Sequence, residues 1–100
     1  MKEICSLKDK KALITGGTKG IGLAITKLFL DLGAEVFIAA RNKSLIDEMI
    51  DKYEGERIDG VAADISKAAG IEKLMKAVYK KWDNIDILVN NAGFNIRKKT

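Results

Sequence analysis

Apolar residues in this chain alternate between short continuous runs and a helical spacing. The run Lys11 to Thr15 is typical of a buried strand, and a glycine cluster from Gly16 to Gly22 follows it. Beyond the cluster, apolar residues recur every three or four positions up to Gly33, which is suited to end a helix. The predicted apolar face of this helix consists of Ile21, Ala24, Ile25, Leu28, Phe29 and Leu32. The pattern predicts a strand, a glycine turn and a helix.

The same unit then repeats. Glu35 to Ala40 predicts a second strand, and Ser44 followed by Asp47 predicts a capping box that opens a second helix. Gly55 stands where a left-handed C-cap would end this helix. Its predicted apolar face consists of Leu45, Ile46, Met49, Ile50 and Tyr53.

A third unit completes the pattern. Arg57 to Ala63 predicts a third strand, and Ser66 is a candidate N-cap for a third helix. Gly70 is a weak point in that helix, which costs about 1 kcal/mol relative to alanine. The predicted buried stripe of the helix is Ile71, Leu74, Met75, Val78 and Trp82. Ile85 to Val89 predicts a fourth strand, which runs into Asn90-Asn91-Ala92-Gly93.

Strands that alternate with helices through short connections require a parallel sheet with right-handed crossovers. The predicted class is therefore α/β, a doubly wound, Rossmann-like sheet with the order β-α-β-α-β-α-β in one domain, residues 1–100. In that arrangement the strand order is 3-2-1-4, and ligands bind where the winding direction reverses. The fourth strand would have an open edge, so we expect marginal stability and self-association, with a homo-oligomer as one outcome.

Composition excludes several kinds of chemistry. The sequence has no histidine and one cysteine, Cys5, so it offers no Ser-His-Asp or Cys-His pair, no imidazole metal site and no internal disulfide. The longest apolar run, Val36 to Ala40, is too short for a membrane span. With no targeting segment recognisable in the sequence, we expect a cytoplasmic protein. The net charge of +4 owes much to the end of the chain, Arg97 to Lys99, and forms no basic stripe, so we expect no nucleic-acid partner and no membrane partner.

The glycine turn between the first strand and first helix is suited to a phosphate group. It would expose backbone N–H groups at the positive end of the helix dipole, without a Cβ in the way. The spacing, Gly16-x-x-x-Gly20-x-Gly22, differs from G-x-G-x-x-G. From spacing alone, a turn that serves only tight strand–helix packing remains an alternative.

Three motifs together resemble the short-chain dehydrogenase/reductase family. Thr15 to Gly22 matches its T-G-x-x-x-G-x-G motif, and Asn90-Asn91-Ala92-Gly93 matches its N-N-A-G motif after the fourth strand. Asp64 stands after the third strand, where the family keeps an aspartate. The run Asn91 to Lys98 looks most like the tropinone-reductase-like members. The resemblance extends from Leu7 to Thr100.

The resemblance implies a cofactor site made of specific residues. Asp64 would accept a hydrogen bond from the adenine amino group, and the Ile65 backbone would help to hold the ring. Asn90 would brace the sheet. The residues implied around the cofactor's phosphates are Gly16, Gly20, Gly22 and the backbone of Ile21, and the implied ribose neighbours are Asn91, Ala92 and Gly93. Thr18 and Lys19 of the same turn are further predicted cofactor-binding residues. On the residues alone, Asp64 could instead cap a helix, and the N-N-A-G segment could be a simple turn.

Arg41 and Lys19 favour NADP(H) over NAD(H). NAD-binding proteins of this architecture place an acidic residue at the end of the second strand, whereas this chain has Arg41 there. A guanidinium offers donors to a 2′-phosphate, and Lys19 adds a second positive charge. In the family both positions are associated with NADP preference. Each residue taken singly could be only a solvated surface charge.

The expected catalytic residues are not found in the sequence. The family uses a tyrosine as acid/base with a lysine four residues later, but Tyr53 is followed by Arg57 and Tyr79 by Asp83. We therefore expect no catalytic residue within this chain and place the catalytic machinery beyond Thr100. The resemblance implies the NADP(H)-binding N-terminal part of an oxidoreductase for a small ketone or secondary alcohol. The alternative is a stand-alone dinucleotide-binding module without activity, and a reading frame that continues into Tyr-x-x-x-Lys would discriminate the two.

Overall fold

In a computed structural model, which describes residues 6–53 and 57–91, the chain forms a four-stranded sheet with helices on both faces. The elements are β1 (Lys11–Thr15), α1 (Gly20–Asp31), β2 (Glu35–Ala40), α2 (Lys43–Lys52), β3 (Ile58–Ala62), α3 (Ala68–Lys81) and β4 (Ile87–Asn90). All neighbouring strands are parallel and the order is β3-β2-β1-β4. The predicted class, element order and strand order are confirmed.

Two apolar layers enclose the sheet. Alternate residues of β1 and β2 point to opposite faces, so Leu13 and Phe37 face α3, whereas Ile14 and Ile38 face α1 and α2. The layer under α3 includes Trp82, whose ring meets that of Phe37 edge to face at 5.9 Å between centroids. Trp82 is therefore a packing residue, as predicted. Cys5 and Gly55 lie outside the described residues.

Helix α1 buries a different face from the one that its apolar pattern predicts. Ile21 is 72% exposed, Leu28 is half exposed and Ala24 is exposed. The buried residues of α1 are Gly22, Thr26 and Leu30. Small residues at Gly22 and Thr26 let the helix backbone approach the glycine turn, and the large apolar residues flank that contact instead. The predicted stripe is wrong at Ile21, Ala24 and Leu28 for this reason.

The predicted N-cap of the second helix is also wrong. Asn42 caps α2, because its Oδ1 accepts a hydrogen bond from the Leu45 N–H at 3.2 Å, and Ser44 lies inside the helix. Asn42 has the extended backbone that an N-cap requires. Tyr53 packs against the core from the C-cap of α2, as predicted.

At the start of α3, the predicted cap Ser66 has a different partner. The N-cap position is Lys67, which makes no side-chain cap hydrogen bond, while the Ser66 hydroxyl donates to Asp64. Gly70 is not merely a weak point, since a Cβ there would overlap the backbone of Asp64. Leu74, Val78 and Trp82 are buried as predicted, but Ile71 is 47% exposed. The loop that carries Asp64 therefore rests directly on the first turn of α3.

Candidate functional site

A cavity of about 410 Å³ lies where the carboxyl ends of the strands meet. It brings together the glycine turn after β1, the end of β2 and the loop after β3. Its lining residues are Gly16, Thr18, Lys19, Ala39, Ala40, Arg41, Asn42, Leu45, Ala63, Asp64, Ile65, Ser66 and Asn91. This edge is the one at which ligands bind in open α/β sheets.

Close backbone contact shapes the glycine turn on one side of the cavity. The Gly16 N–H donates to the Ala39 carbonyl at 2.7 Å, which ties the turn to β2. A Cβ at Gly22 would overlap the Gly16 carbonyl, and Gly20 has a positive φ of 55°. Glycine at 22 is thus required by space and glycine at 20 is favoured by conformation.

Thr26, in α1, contacts the glycine turn through its side-chain hydroxyl. Its hydroxyl is fully buried and lies 2.9 Å from the Gly22 carbonyl and 3.4 Å from that of Gly17. A Cβ at Gly17 would lie 2.9 Å from the same hydroxyl. Thr26 therefore ties the turn to α1 through contacts on the side that faces the protein interior.

The N-terminus of α1 next to this turn has no side-chain cap. Lys19 occupies the N-cap position with an extended backbone, and the first turn of the helix has no acidic residue. The N–H groups at this end carry the positive end of the helix dipole. The arrangement is suited to an anion beside Gly20 to Gly22.

The segment after β4 is joined to the turn through side chains. The Thr15 hydroxyl lies 3.1 Å from Asn90 Oδ1 and accepts from the Asn91 N–H at 2.8 Å. Asn91 Nδ2 donates to the Gly16 carbonyl at 3.3 Å. These contacts fix the ends of β1 and β4 relative to each other and bring Asn91 to the cavity.

Asp64 is the only carboxylate among the cavity-lining residues in the described part of the chain. Its Oδ1 accepts from the Ser66 hydroxyl at 2.6 Å and from the Ser66 N–H at 3.0 Å. These two hydrogen bonds, the hydroxyl first, hold the pKa of the Asp64 carboxyl below its usual value. Desolvation acts in the opposite direction, and the positive charges of Arg41 and Lys67 add weaker lowering effects. Asp64 is therefore ionised at neutral pH. It closes the turn before α3 rather than capping the helix itself.

Two basic side chains complete the lining. Arg41 and Lys19 are both exposed, and neither lies within 4.0 Å of a carboxylate oxygen among residues 6–53 and 57–91. Arg41 is close enough to influence the pKa of Asp64 without forming an ion pair with it. The cavity lining thus carries one carboxylate and two cations, and neither cation forms an ion pair with that carboxylate.

The cavity includes most, but not all, of the residues predicted for a cofactor. Gly20, Ile21 and Gly22 do not line it but form the adjacent start of α1, and Ala92 and Gly93 lie outside the described residues. The predicted residues in the lining are Gly16, Thr18, Lys19, Arg41, Asp64, Ile65 and Asn91. Those the sequence did not indicate are Ala39, Ala40, Asn42, Leu45, Ala63 and Ser66. Their signal was position alone, at or after the carboxyl ends of β2 and β3, with Leu45 already in the first turn of α2.

Comparison with known proteins gives consistent matches. The family model for short chain dehydrogenase matches residues 10–100. A tropinone reductase homolog of Datura stramonium is 37% identical over 97 residues, which covers 94% of this chain and 36% of that protein. A chloroplastic tropinone reductase homolog of Arabidopsis thaliana is 42% identical over 100 residues, with 97% and 31% covered.

Solved structures agree with this result. The Pseudomonas aeruginosa RhlG/NADP active-site complex has a TM-score of 0.87 and 37% identity, and the match covers 94% of this chain and 38% of that one. L-Sorbose reductase from Gluconobacter frateurii, complexed with NADPH and L-sorbose, has a TM-score of 0.81 and 35% identity, with 90% and 35% covered. The chain thus spans about a third of the length of these relatives. On its sequence motifs, its sheet order and the family match across residues 10–100, this chain belongs to the short-chain dehydrogenase family.

Proposed function

We propose that this chain is the NADP(H)-binding part of a short-chain dehydrogenase/reductase that transfers hydride between NADPH and a small ketone or secondary alcohol. The observation that carries the proposal is the cavity in which the glycine turn, Arg41, Lys19 and Asp64 meet. Its volume of about 410 Å³ is within the range of small-molecule sites. The cofactor would supply the hydride, and this chain would bind and orient it.

The start of α1 would hold the pyrophosphate. Gly20 has no neighbouring atom within 4 Å of a Cβ position, so an anion could approach its backbone. The uncapped N–H groups of Gly20, Ile21 and Gly22 would donate to phosphate oxygens, and the helix dipole would favour the negative charge. The donor set therefore fits a pyrophosphate.

The other wall of the cavity would hold the adenosine end. Asp64 is an acceptor when ionised and would take a hydrogen bond from the adenine amino group, with the Ile65 backbone beside the ring. Arg41 and Lys19 would bind the 2′-phosphate, since both are free of ion pairs with the described residues. Asn91 would lie beside the ribose, together with Ala92 and Gly93.

The acid/base residue would belong to a longer protein. Neither tyrosine of the chain lines the cavity: Tyr53 packs on the core beside α2, and Tyr79 is on the exposed side of α3. A small-molecule carbonyl substrate is supported by the named relatives, which include L-sorbose reductase and tropinone reductase homologs. Because these relatives are named as reductases, they do not favour the alternative of a binding module without activity. No helix in the described part of the chain is long and apolar enough to cross a membrane. A cytoplasmic location and a homo-oligomer remain predictions.

Titration of the full chain with NADPH and NADH tests the binding proposal. We expect saturable binding of NADPH, with NADH at least about tenfold weaker because it lacks the 2′-phosphate that Arg41 and Lys19 would contact. Equal affinities would contradict the NADP preference. Absence of binding by either cofactor would contradict the proposed function of this chain.

A further inference from the structure

Ser66 is a cavity-lining residue that no motif identifies. Both of its donor groups, the hydroxyl and the backbone N–H, bind the same atom, Oδ1 of Asp64, at 2.6 and 3.0 Å. Within the described residues, the side-chain hydrogen bonds of Asp64 all go to Oδ1. Oδ2 is therefore the carboxylate oxygen left to a ligand.

The backbone of Asp64 is fixed independently of its side chain. Its carbonyl accepts from the Lys67 N–H at 3.2 Å, and its main chain lies against Gly70 in the first turn of α3. The remaining freedom is rotation of the carboxylate, which the two bonds from Ser66 restrict. Removal of the Ser66 hydroxyl would release part of this rotation without moving the loop.

We propose that Ser66 is a positioning residue for purine recognition, which holds Asp64 Oδ1 so that Oδ2 accepts the 6-amino group of adenine. This inference rests on the proposed function, since it concerns the adenine end of the same cofactor. An ionised carboxylate only accepts hydrogen bonds, so it favours a purine with an amino group at position 6 and disfavours one with a carbonyl there. Ser66 would thereby increase discrimination between adenine and hypoxanthine.

The test compares NADPH with reduced nicotinamide hypoxanthine dinucleotide phosphate, which differs at the purine. The measured quantity is the dissociation constant of the hypoxanthine analogue divided by that of NADPH. This ratio is determined for the full chain and for Ser66→Ala. Because the Asp64 carboxylate freed by Ser66→Ala must be ordered when adenine binds, we expect this variant to lower the preference for NADPH about three- to tenfold. A merely structural role would weaken both ligands equally and leave the ratio unchanged.

Matched variants test whether a change in the ratio is caused by loss of the Ser66 hydroxyl. Ser44→Ala removes an exposed serine hydroxyl on α2 and should leave the ratio unchanged, and Ser66→Thr should retain it. Ser66→Gly removes the same hydroxyl and should also lower the ratio. It serves as the second test variant if Ser66→Ala folds poorly. In an Asp64→Asn background, Ser66→Ala should have no further effect on the ratio.

The outcomes separate this inference from the proposed function. If the unsubstituted chain binds NADPH and prefers it to the hypoxanthine analogue, an unchanged ratio in both Ser66→Ala and Ser66→Gly overturns the role of Ser66 alone. If the unsubstituted chain does not bind NADPH, the proposed function fails and the inference with it. A ratio lowered by the alanine and glycine variants, and retained by threonine, supports it.

Discussion

Gly22, in the first turn of α1, packs directly on the carbonyl oxygen of Gly16, at the start of the glycine turn. A Cβ at position 22 would also lie 2.8 Å from Asn91 Nδ2, the group that donates to that carbonyl. One glycine therefore permits the contact between the turn, the helix and the segment after β4. This contact gives Gly16 and Gly22 of the T-G-x-x-x-G-x-G motif a packing role in addition to the proposed phosphate site.

Gly22→Ala should destabilise the chain. The methyl group would push α1 away from the turn, and we expect a loss of about 1–3 kcal/mol in the free energy of unfolding, as for other overpacked sites. Urea denaturation measures this loss. Gly20→Asn is the matched control, because position 20 has open space and asparagine tolerates a positive φ. An equal loss in both variants would show that the contact with Gly16 is not the cause.

Gly70→Ala distinguishes the structural explanation of this glycine from the one based on helix propensity. Propensity alone predicts a gain of about 1 kcal/mol in stability from alanine inside a helix. The structure predicts a loss of about 1–3 kcal/mol, because the new Cβ would overlap the backbone of Asp64.

The free energy of unfolding measured in urea gives the sign for Gly70→Ala. As a reference, Ala69→Gly on the exposed surface of the same helix should cost about 1 kcal/mol, the ordinary propensity difference. A stabilised Gly70→Ala variant would contradict the close approach of the Asp64 loop to α3.

Several features of the fold could be predicted from the sequence, and the exceptions have a physical cause. Alternation of buried runs with helical spacing is enough to predict the sheet, since parallel strands need crossover helices. The face of α1 was mispredicted because hydrophobic periodicity assumes that the largest apolar side chains are buried. Thr26 and Gly22 are buried instead, because the helix approaches the sheet through its small residues.

The residues of the candidate site also divide into those that could be predicted from the sequence and those that could not. Gly16 could be predicted because the glycine spacing after a strand carries a signal, and Asp64 because its position after the third strand resembles that of the family's aspartate. Ser66 and Asn42 could not: capping preference assigned Ser66 to the N-cap of α3 and Ser44, not Asn42, to that of α2, because several polar residues near each helix start compete for the same N–H groups. Only the three-dimensional arrangement shows that Asn42 caps α2 and that Ser66 binds Asp64.

Arg41→Ala should weaken the binding of NADPH far more than that of NADH. Loss of charge-assisted hydrogen bonds to a 2′-phosphate should raise the NADPH dissociation constant about 10- to 100-fold and leave NADH within about twofold. Arg41→Asp should reduce the difference in affinity between NADPH and NADH further or reverse it, because the new carboxylate would repel the 2′-phosphate.

Fluorescence titration of the nicotinamide measures both dissociation constants. Lys27→Ala, which removes an exposed charge from α1 outside the cavity, is the control for the net charge of the chain. If Lys27→Ala weakened NADPH as much as Arg41→Ala, the effect would be one of overall charge and not of a site.

The titration of Asp64 should occur below the usual range of an aspartate. The folded-state pKa of Asp64 is lowered, chiefly by the Ser66 hydroxyl. The ionised carboxylate therefore stabilises the fold at pH values above the pKa of Asp64 in the unfolded chain. That contribution is lost as the pH falls through the folded-state pKa. Carbon-13 NMR of the carboxyl group measures the titration, and Ser66→Ala should move the pKa upward. An unchanged midpoint in Ser66→Ala would contradict the assigned cause.

Mapping of the NADPH site by NMR tests the central claim most directly. On addition of NADPH to the full chain labelled with nitrogen-15, we expect the largest amide shifts at Gly20, Gly22, Arg41 and Ile65, at the cavity and the start of α1. The amides of Met49 and Ile50, on α2 away from the cavity, should remain nearly unchanged. Shifts confined to residues outside the cavity and the start of α1, or no shifts at saturating NADPH, would contradict the assignment of this cavity to NADP(H).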